Sequence, residues 1–162
     1  PENKTGDVAV ITGAIRDEGT TPQYLPVEYP ALADIDVVCA LRDAANRLGL
    51  RHHLGVAHSK DSFYGEVEMQ RMPVSVRLQE RWQAWKAGGA VASEMESSAL
   101  FILASIHRKR AGAVMLLVGN PAEDMDTSDV QAFNQMVEED RQIRVAVEAV
   151  KILIEQDRQR GA

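Results

Sequence analysis

At 162 residues with 45% hydrophobic content, the chain is long enough to bury one sizeable core, and nothing in its composition calls for a second domain. Its formal net charge of −6 excludes a general binder of phosphate backbones, so nucleic acid is not an expected partner and a small molecule or a protein is. A single cysteine, Cys39, excludes an internal disulfide and reads as a buried core thiol. No apolar run approaches the roughly 18 residues of a membrane span, and the start Pro1-Glu2-Asn3-Lys4 lacks signal-peptide character, so a cytoplasmic protein without a membrane partner is expected.

Val8–Ile11 is a short β-branched apolar run ending at Thr12-Gly13 and suits a buried strand. A loop follows through Pro22, Pro26 and Pro30. From Asp34, Val37, Val38, Leu41, Ala44, Ala45 and Leu48 recur at spacings of three and four, and Gly49 stops the pattern, which predicts an amphipathic helix. Arg51–Ala57 reads as a second strand, with Ser59–Gly65 in the loop beyond its C-terminal end, where ligand sites of open α/β sheets lie.

A short helix is predicted over Val76–Lys86, ended by Gly88-Gly89, then a brief strand over Ala90–Ala92 and a helix from about Glu96 to His107. Ala113–Val118 reads as a strand, and a last amphipathic helix covers roughly Val130–Arg158. Strand and helix alternate throughout, which predicts an α/β domain layered around a largely parallel or mixed sheet.

The most informative run is Glu94-Met95-Glu96-Ser97, which puts two carboxylates and a thioether at a helix start. Acids belong near the positive end of a helix dipole, and the small and apolar residues that follow Glu96 pull it toward the interior. A buried carboxylate needs donors, and paired sugar hydroxyls supply two at once while the methionine covers the sugar face. The plainer reading is a helical turn with capping acids.

Other motifs accompany it: Ser59-Lys60-Asp61-Ser62-Phe63-Tyr64-Gly65, Met72-Pro73, Trp82-Gln83-Ala84-Trp85 and Val118-Gly119-Asn120. Upstream stand Gly6–Ala14 and Glu28-Tyr29-Pro30-Ala31. In this order and spacing the chain, from about Gly6 to Ile154, resembles the uridine phosphorylase branch of the nucleoside phosphorylase family.

The resemblance implies an α/β/α fold with a central mixed sheet, and phosphorolysis of a pyrimidine nucleoside to free base and ribose 1-phosphate in nucleoside salvage. By resemblance, Glu96 holds the ribose 2′- and 3′-hydroxyls, Met95 packs on sugar and base, Glu94 sits deeper or bonds backbone in a supporting part, and Phe63 stacks on the base. The family's base-reading fork is a glutamine and, two residues on, an arginine. Here Gln70 and Arg71 are adjacent and displaced, so they replace the fork or lie on the surface while Lys60, Glu66 or another group reads the base.

Val118 is expected beside the base and Asn120 in a catalytic role. Purine-directed relatives carry an aspartate there to protonate the leaving base, and an asparagine cannot act as that acid, so Asn120 favours a pyrimidine. Asp124 and Asp126 are alternatives for an acid.

The family's phosphate site lies mainly in a portion ahead of Pro1 and in a neighbouring subunit, so the chain is expected to be the C-terminal portion of the fold. Inorganic phosphate is the expected co-substrate and no cofactor is expected. His52, His53, His58 and His107 lack metal-ligand spacing, so no metal is expected either. Arg16 could face an anion or pair with Asp17 or Glu18. Trp82 and Trp85 read as core or subunit-contact residues. A homo-oligomer built on dimers is implied for a full-length protein. The alternatives are a purine nucleoside phosphorylase or a methylthioadenosine/adenosylhomocysteine nucleosidase of the same fold, and a non-catalytic nucleoside-binding or oligomer-forming fragment.

Overall fold

The computed structural model describes residues 3–119 and 140–161. Among them the strands are β1 (Val8–Asp17), β2 (Ala31–Leu32), β3 (His52–Lys60), β4 (Ala92–Glu94) and β5 (Ala113–Leu116). The helices are α1 (Ile35–Arg47), α2 (Tyr64–Val67), α3 (Ser75–Ala87), α4 (Ser97–Ile106) and α5 (Arg141–Arg160), with 3-10 turns at Thr21–Gln23 and Met69–Arg71.

The sheet is mixed. β1 lies parallel to β3 along its whole length, and β3 lies parallel to β4. The other edge of β1 is shared by two antiparallel strands, β5 against its first half and β2 against Gly13-Ala14.

Val8, Ala9, Val10 and Ile11 are all fully buried, because β1 is covered on both faces. Alternation sends Val8 and Val10 to a layer with Val38, Leu41, Val145 and Ile152 from α1 and α5. It sends Ala9 and Ile11 to a second layer with Ala57, Phe101 and Ile102, under α4. The expected α/β/α layering follows directly from this one strand.

α1 starts where the Asp34 carboxylate accepts the Asp36 and Val37 N–H groups at 3.0 and 3.2 Å. It ends at Gly49, whose φ of +65° is the left-handed conformation a glycine adopts without strain. Cys39, on this helix, is half-buried rather than a fully buried thiol.

Several boundaries differ from those read in the sequence. β1 runs on to Asp17 and β3 to Lys60, so Ser59 and Lys60 belong to a strand and not to the loop. Both strands end in polar residues, and only burial against partners reveals that they continue as strands. β4 lies at Ala92–Glu94, two residues later than expected, because its pairing is with the far end of β3: Ala57 with Ala92 and Ser59 with Glu94. The proline-rich stretch holds a 3-10 turn and β2. Of the expected last helix, residues 130–139 lie outside the described residues. No described helix is long and apolar enough to cross a membrane.

Removing the α1 cap tests its weight. Asp34→Ala should cost about 1 kcal/mol of unfolding free energy, seen as a lower urea midpoint with an unchanged slope. An unchanged midpoint would show that the cap contributes nothing.

Candidate active site

The C-terminal ends of β1, β3 and β4 meet side by side, and alternation along the strands and the residue after β1 divides their polar residues between the two faces of the sheet. On the α4 face these are Glu18, Ser59 and Glu94. On the opposite face they are Asp17, His58, Lys60 and Ser93. Two separate hydrogen-bond networks result.

In the first, Glu94 accepts the Ser59 hydroxyl and the N–H groups of Glu96 and Ser97, the last two at 2.7 and 2.6 Å. One carboxylate thus joins β3 to β4 and caps the first turn of α4, where orphan N–H groups and the helix dipole favour an anion. Ser59 Oγ also accepts the N–H of Ser98 at 3.0 Å. Beside it, Glu18 accepts the hydroxyls of Thr21 and Ser98 and the N–H groups of Thr20 and Thr21.

This arrangement corrects the reading of Glu96. Glu94 turns inward and takes the helix donors, while Ser97 and Ser98 fill the space behind it, so Glu96 is exposed rather than drawn into the interior. Among the described residues its carboxylate receives one hydrogen bond, from the Met95 N–H at 3.3 Å. It remains open to an incoming ligand. Met95 beside it is 39% exposed.

Phe63 follows β3 by three residues, immediately ahead of α2, and is 56% exposed with its ring edge-on to Tyr64 at 5.6 Å. Because Ser59 pairs with Glu94 across parallel strands, the segments carrying Phe63 and Met95-Glu96 leave the sheet at the same edge, from neighbouring strands.

Val118 is placed elsewhere. β5 is antiparallel to β1 with Leu116 beside Val8, so Val118, 42% exposed, leaves the sheet where β1 begins. Phe63 and Glu96 lie past the end where Asp17 meets Lys60. At about 3.3 Å per residue the two ends of β1 are roughly 30 Å apart. The described residues therefore do not bring Val118 to the other candidates, and the reason is strand direction, which an apolar run does not encode. Asn120 lies outside the described residues, as do Asp124 and Asp126.

Gln70 and Arg71 sit on the exposed 3-10 turn after α2. The Arg71 side chain is 71% exposed and pairs with Glu68 at 2.5 Å. Both residues lie on this solvated surface turn. Arg16 neither faces an anion nor pairs with Asp17 or Glu18. Its guanidinium donates to Thr21 Oγ1 and to the carbonyls of Leu25, Pro26 and Tyr29, and so holds the proline-rich loop against β1.

The second network went unread in the sequence. Lys60 Nζ donates to Glu66 at 3.0 Å and to Ser93 Oγ at 2.8 Å, and Ser93 donates in turn to Glu66. His58 stands between Asp17, at 2.9 Å from Nε2, and Ser93, at 3.4 Å from Nδ1, while Arg81 of α3 pairs with Asp17. Trp82 and Trp85 cover His58 with ring centroids 6.2 and 6.1 Å away. The Asp-His-Ser connectivity is not a nucleophile triad, because the Ser93 proton goes to Glu66 and not to His58. The one signal in the sequence was the lysine and glutamate at equal distances either side of Phe63.

A groove of about 380 Å³ opens elsewhere, between the loop around Tyr29 and α3, with Arg16, Leu32, Val56, Arg81 and Trp85 on its walls. Phe63, Gln70, Arg71, Glu94, Met95, Glu96 and Val118 do not line it. Among the described residues no group of three or more His, Cys, Asp and Glu side chains is placed to hold a metal ion.

The phosphorylase superfamily model matches residues 1–153. The chain belongs to that superfamily. It is 48% identical over 158 residues to a uridine phosphorylase of Treponema pallidum, covering 97% of this chain and 60% of that protein. It is 36% identical over 163 residues to a uridine phosphorylase of Thermococcus kodakarensis, covering 99% of this chain and 56% of that one. A guanosine phosphorylase of Halorubrum lacusprofundi is 32% identical over 154 residues, 93% of this chain and 59% of its own length. The first two relatives support the uridine phosphorylase branch read from the motifs. The chain spans about 60% of the length of the family members it matches.

The α4-face network carries a pH signature. Burial opposes the charged form of Glu18, but the hydrogen bonds from Thr21, Ser98 and Thr20 outweigh it and hold the group below the ordinary glutamate range. Asp7 is likewise lowered: burial opposes its charge, and His53, the Lys4 N–H and Arg51 more than compensate. A folded-state pKa below the unfolded one gives stability that is present above the unfolded value and lost as pH falls through the folded one. Unfolding free energy should therefore fall as pH drops below about 5, through the ordinary values of about 4 and beyond. Glu18→Gln should flatten that acid limb in urea titrations at stepped pH, and an identical limb would contradict the assignment.

Proposed function

We propose that the protein to which this chain belongs is a uridine phosphorylase, converting uridine and inorganic phosphate to uracil and ribose 1-phosphate without a further cofactor. The observation that carries this reading is the open Glu96 carboxylate beside Met95, at the same sheet edge as the exposed Phe63, in a chain 48% identical to a uridine phosphorylase.

Glu96 accepts both ribose hydroxyls, and as an anion beside the sugar it favours the positive charge that develops at the anomeric carbon. Charge-assisted hydrogen bonds to a carboxylate are about twice as strong as neutral ones. Met95 covers the sugar, and Phe63 stacks on the pyrimidine ring, worth on the order of 1 kcal/mol beyond the area buried. A phosphate oxygen forms the new bond to the anomeric carbon as the glycosidic C–N bond breaks. The electron pair goes to the base, which leaves as an anion and takes a proton from water. The helix-capping role of Glu94 makes it a support of Glu96 rather than a ligand of the sugar.

The protein works as a dimer-based homo-oligomer, in the cytoplasm. Light scattering on the full-length protein at micromolar concentration checks the assembly, and an active monomer would contradict it. A purine-directed reading is kept as the second one, because a guanosine phosphorylase is among the relatives. Uridine, guanosine, inosine, adenosine and methylthioadenosine should be compared with and without phosphate. The proposal expects phosphate-dependent cleavage with uridine preferred, and a purine preference or hydrolysis without phosphate would overturn it.

In the full-length enzyme, Glu96→Gln should lower kcat/KM by more than about tenfold, or about 1.4 kcal/mol, with an unchanged melting temperature because the side chain is exposed. A smaller loss removes Glu96 from the sugar. Phe63→Ala should raise KM by an amount equivalent to roughly 1–3 kcal/mol, and an unchanged KM removes the stacking role.

A further inference from the structure

An exposed aromatic ring can serve as a stacking platform only if its backbone is held, and Phe63 is not held by its own packing. Its ring touches Tyr64 alone among aromatic neighbours, and α2, the single turn it opens, is four residues long. Isolated helices of that length are not stable in water. Two anchors flank the ring instead. Two residues before it, the Asp61 carboxylate accepts the Gly19 N–H at 3.0 Å, tying the segment to the end of β1. Three residues after it, Glu66 is buried against Lys60 and Ser93.

The second anchor is the stronger one, because it is a buried ion pair at 3.0 Å, and the other polar groups facing Glu66 are the Ser93 hydroxyl and the His58 ring, 3.9 Å away. Lys60 and Glu66 are each more than nine-tenths buried, and Lys60 lies on β3, which pairs with β1 as far as Asp17, its register shifting once at Thr12. Removing one partner of a buried pair leaves an uncompensated charge that must be expelled toward water, whereas replacing both with apolar groups of similar size is often tolerated. Expelling Glu66 would carry α2 and Phe63 away from the sheet edge.

We propose that Lys60 and Glu66 are positioning residues that fix the Phe63 platform for the nucleoside base, a role that rests on the proposed function. They act through Phe63 and not on the base. Lys60→Met in the full-length protein should raise KM for uridine by about tenfold or more while kcat stays within about twofold. The double variant Lys60→Met/Glu66→Met, which leaves no unpaired buried charge, should return KM to near wild type. In a Phe63→Ala background the Lys60→Met change should have no further effect on KM.

A second readout needs no turnover. The N–H groups of Glu66 and Val67 bond to the Phe63 carbonyl, and that of Glu68 to Tyr64, at 3.0–3.1 Å. Their hydrogen-exchange protection should be lost in Lys60→Met and restored in the double variant. Protection retained in the single variant, or a loss of kcat at constant KM, would overturn the proposal. So would a folded double variant with raised KM. If Lys60→Met does not fold, the double variant decides. A wild-type protein with no uridine phosphorolysis sinks the proposed function, and the exchange result then still decides whether the pair holds the turn.

Discussion

The Glu94 carboxylate is the interaction on which the candidate site depends. Glu94 ends β4 at the seam with β3 and the helix that follows, and it accepts donors from Ser59 of β3 and from the first N–H groups of α4. A helix start buried without such a partner leaves N–H groups unsatisfied, at a cost comparable to lost hydrogen bonds. By taking those donors, Glu94 frees the next acid. Glu96 emerges with its carboxylate toward solvent, two residues away but with a different role. The pair divides labour: one carboxylate is structural because it is saturated, and the other is available because it is not.

Strand pairing sets where that availability can be used. β1, β3 and β4 run the same way, so their polar ends gather at one sheet edge, and alternation splits them into a capping network beneath α4 and an ion-pair network beneath α2 and α3. The first orients the sugar-binding candidate. The second holds the turn bearing the aromatic one. β5 runs against β1 and delivers Val118 to the opposite edge, where Leu117 exchanges hydrogen bonds with Gly6 and Asp7. Phe63, Met95 and Glu96 leave the sheet at the other end.

The layered fold was legible because the run Val8–Ile11 is short, β-branched and closed by Thr12-Gly13, which suits a strand covered on both faces, and the period of α1 with Asp34 and Gly49 at its ends names a helix and its caps. The strand ends were less legible, since Asp17, His58, Lys60 and Ser93 look like loop residues until a partner buries them. Phe63, Met95 and Glu96 were read from residue type and motif together, and the structure places them at one edge. The family resemblance put Glu94 deeper or on backbone, and there it lies, whereas residue type alone drew Glu96 inward, because both acids suit a helix N-terminus and only Ser59, far away in sequence, decides between them. Gln70 and Arg71, for which residue type left a fork or a surface position open, lie on an exposed surface turn. Arg16 meets neither expectation, its donors taken by the carbonyls of a loop whose path no local pattern reveals.

The most direct measurement is a crystal structure of the full-length protein with uridine and a phosphate mimic. The account predicts that the Glu96 carboxylate lies within hydrogen-bond distance, about 2.5–3.0 Å, of both ribose hydroxyls, while Glu94 keeps Ser59 and the first turn of α4. A ribose held by Glu94, or a nucleoside bound away from Glu96, would contradict it.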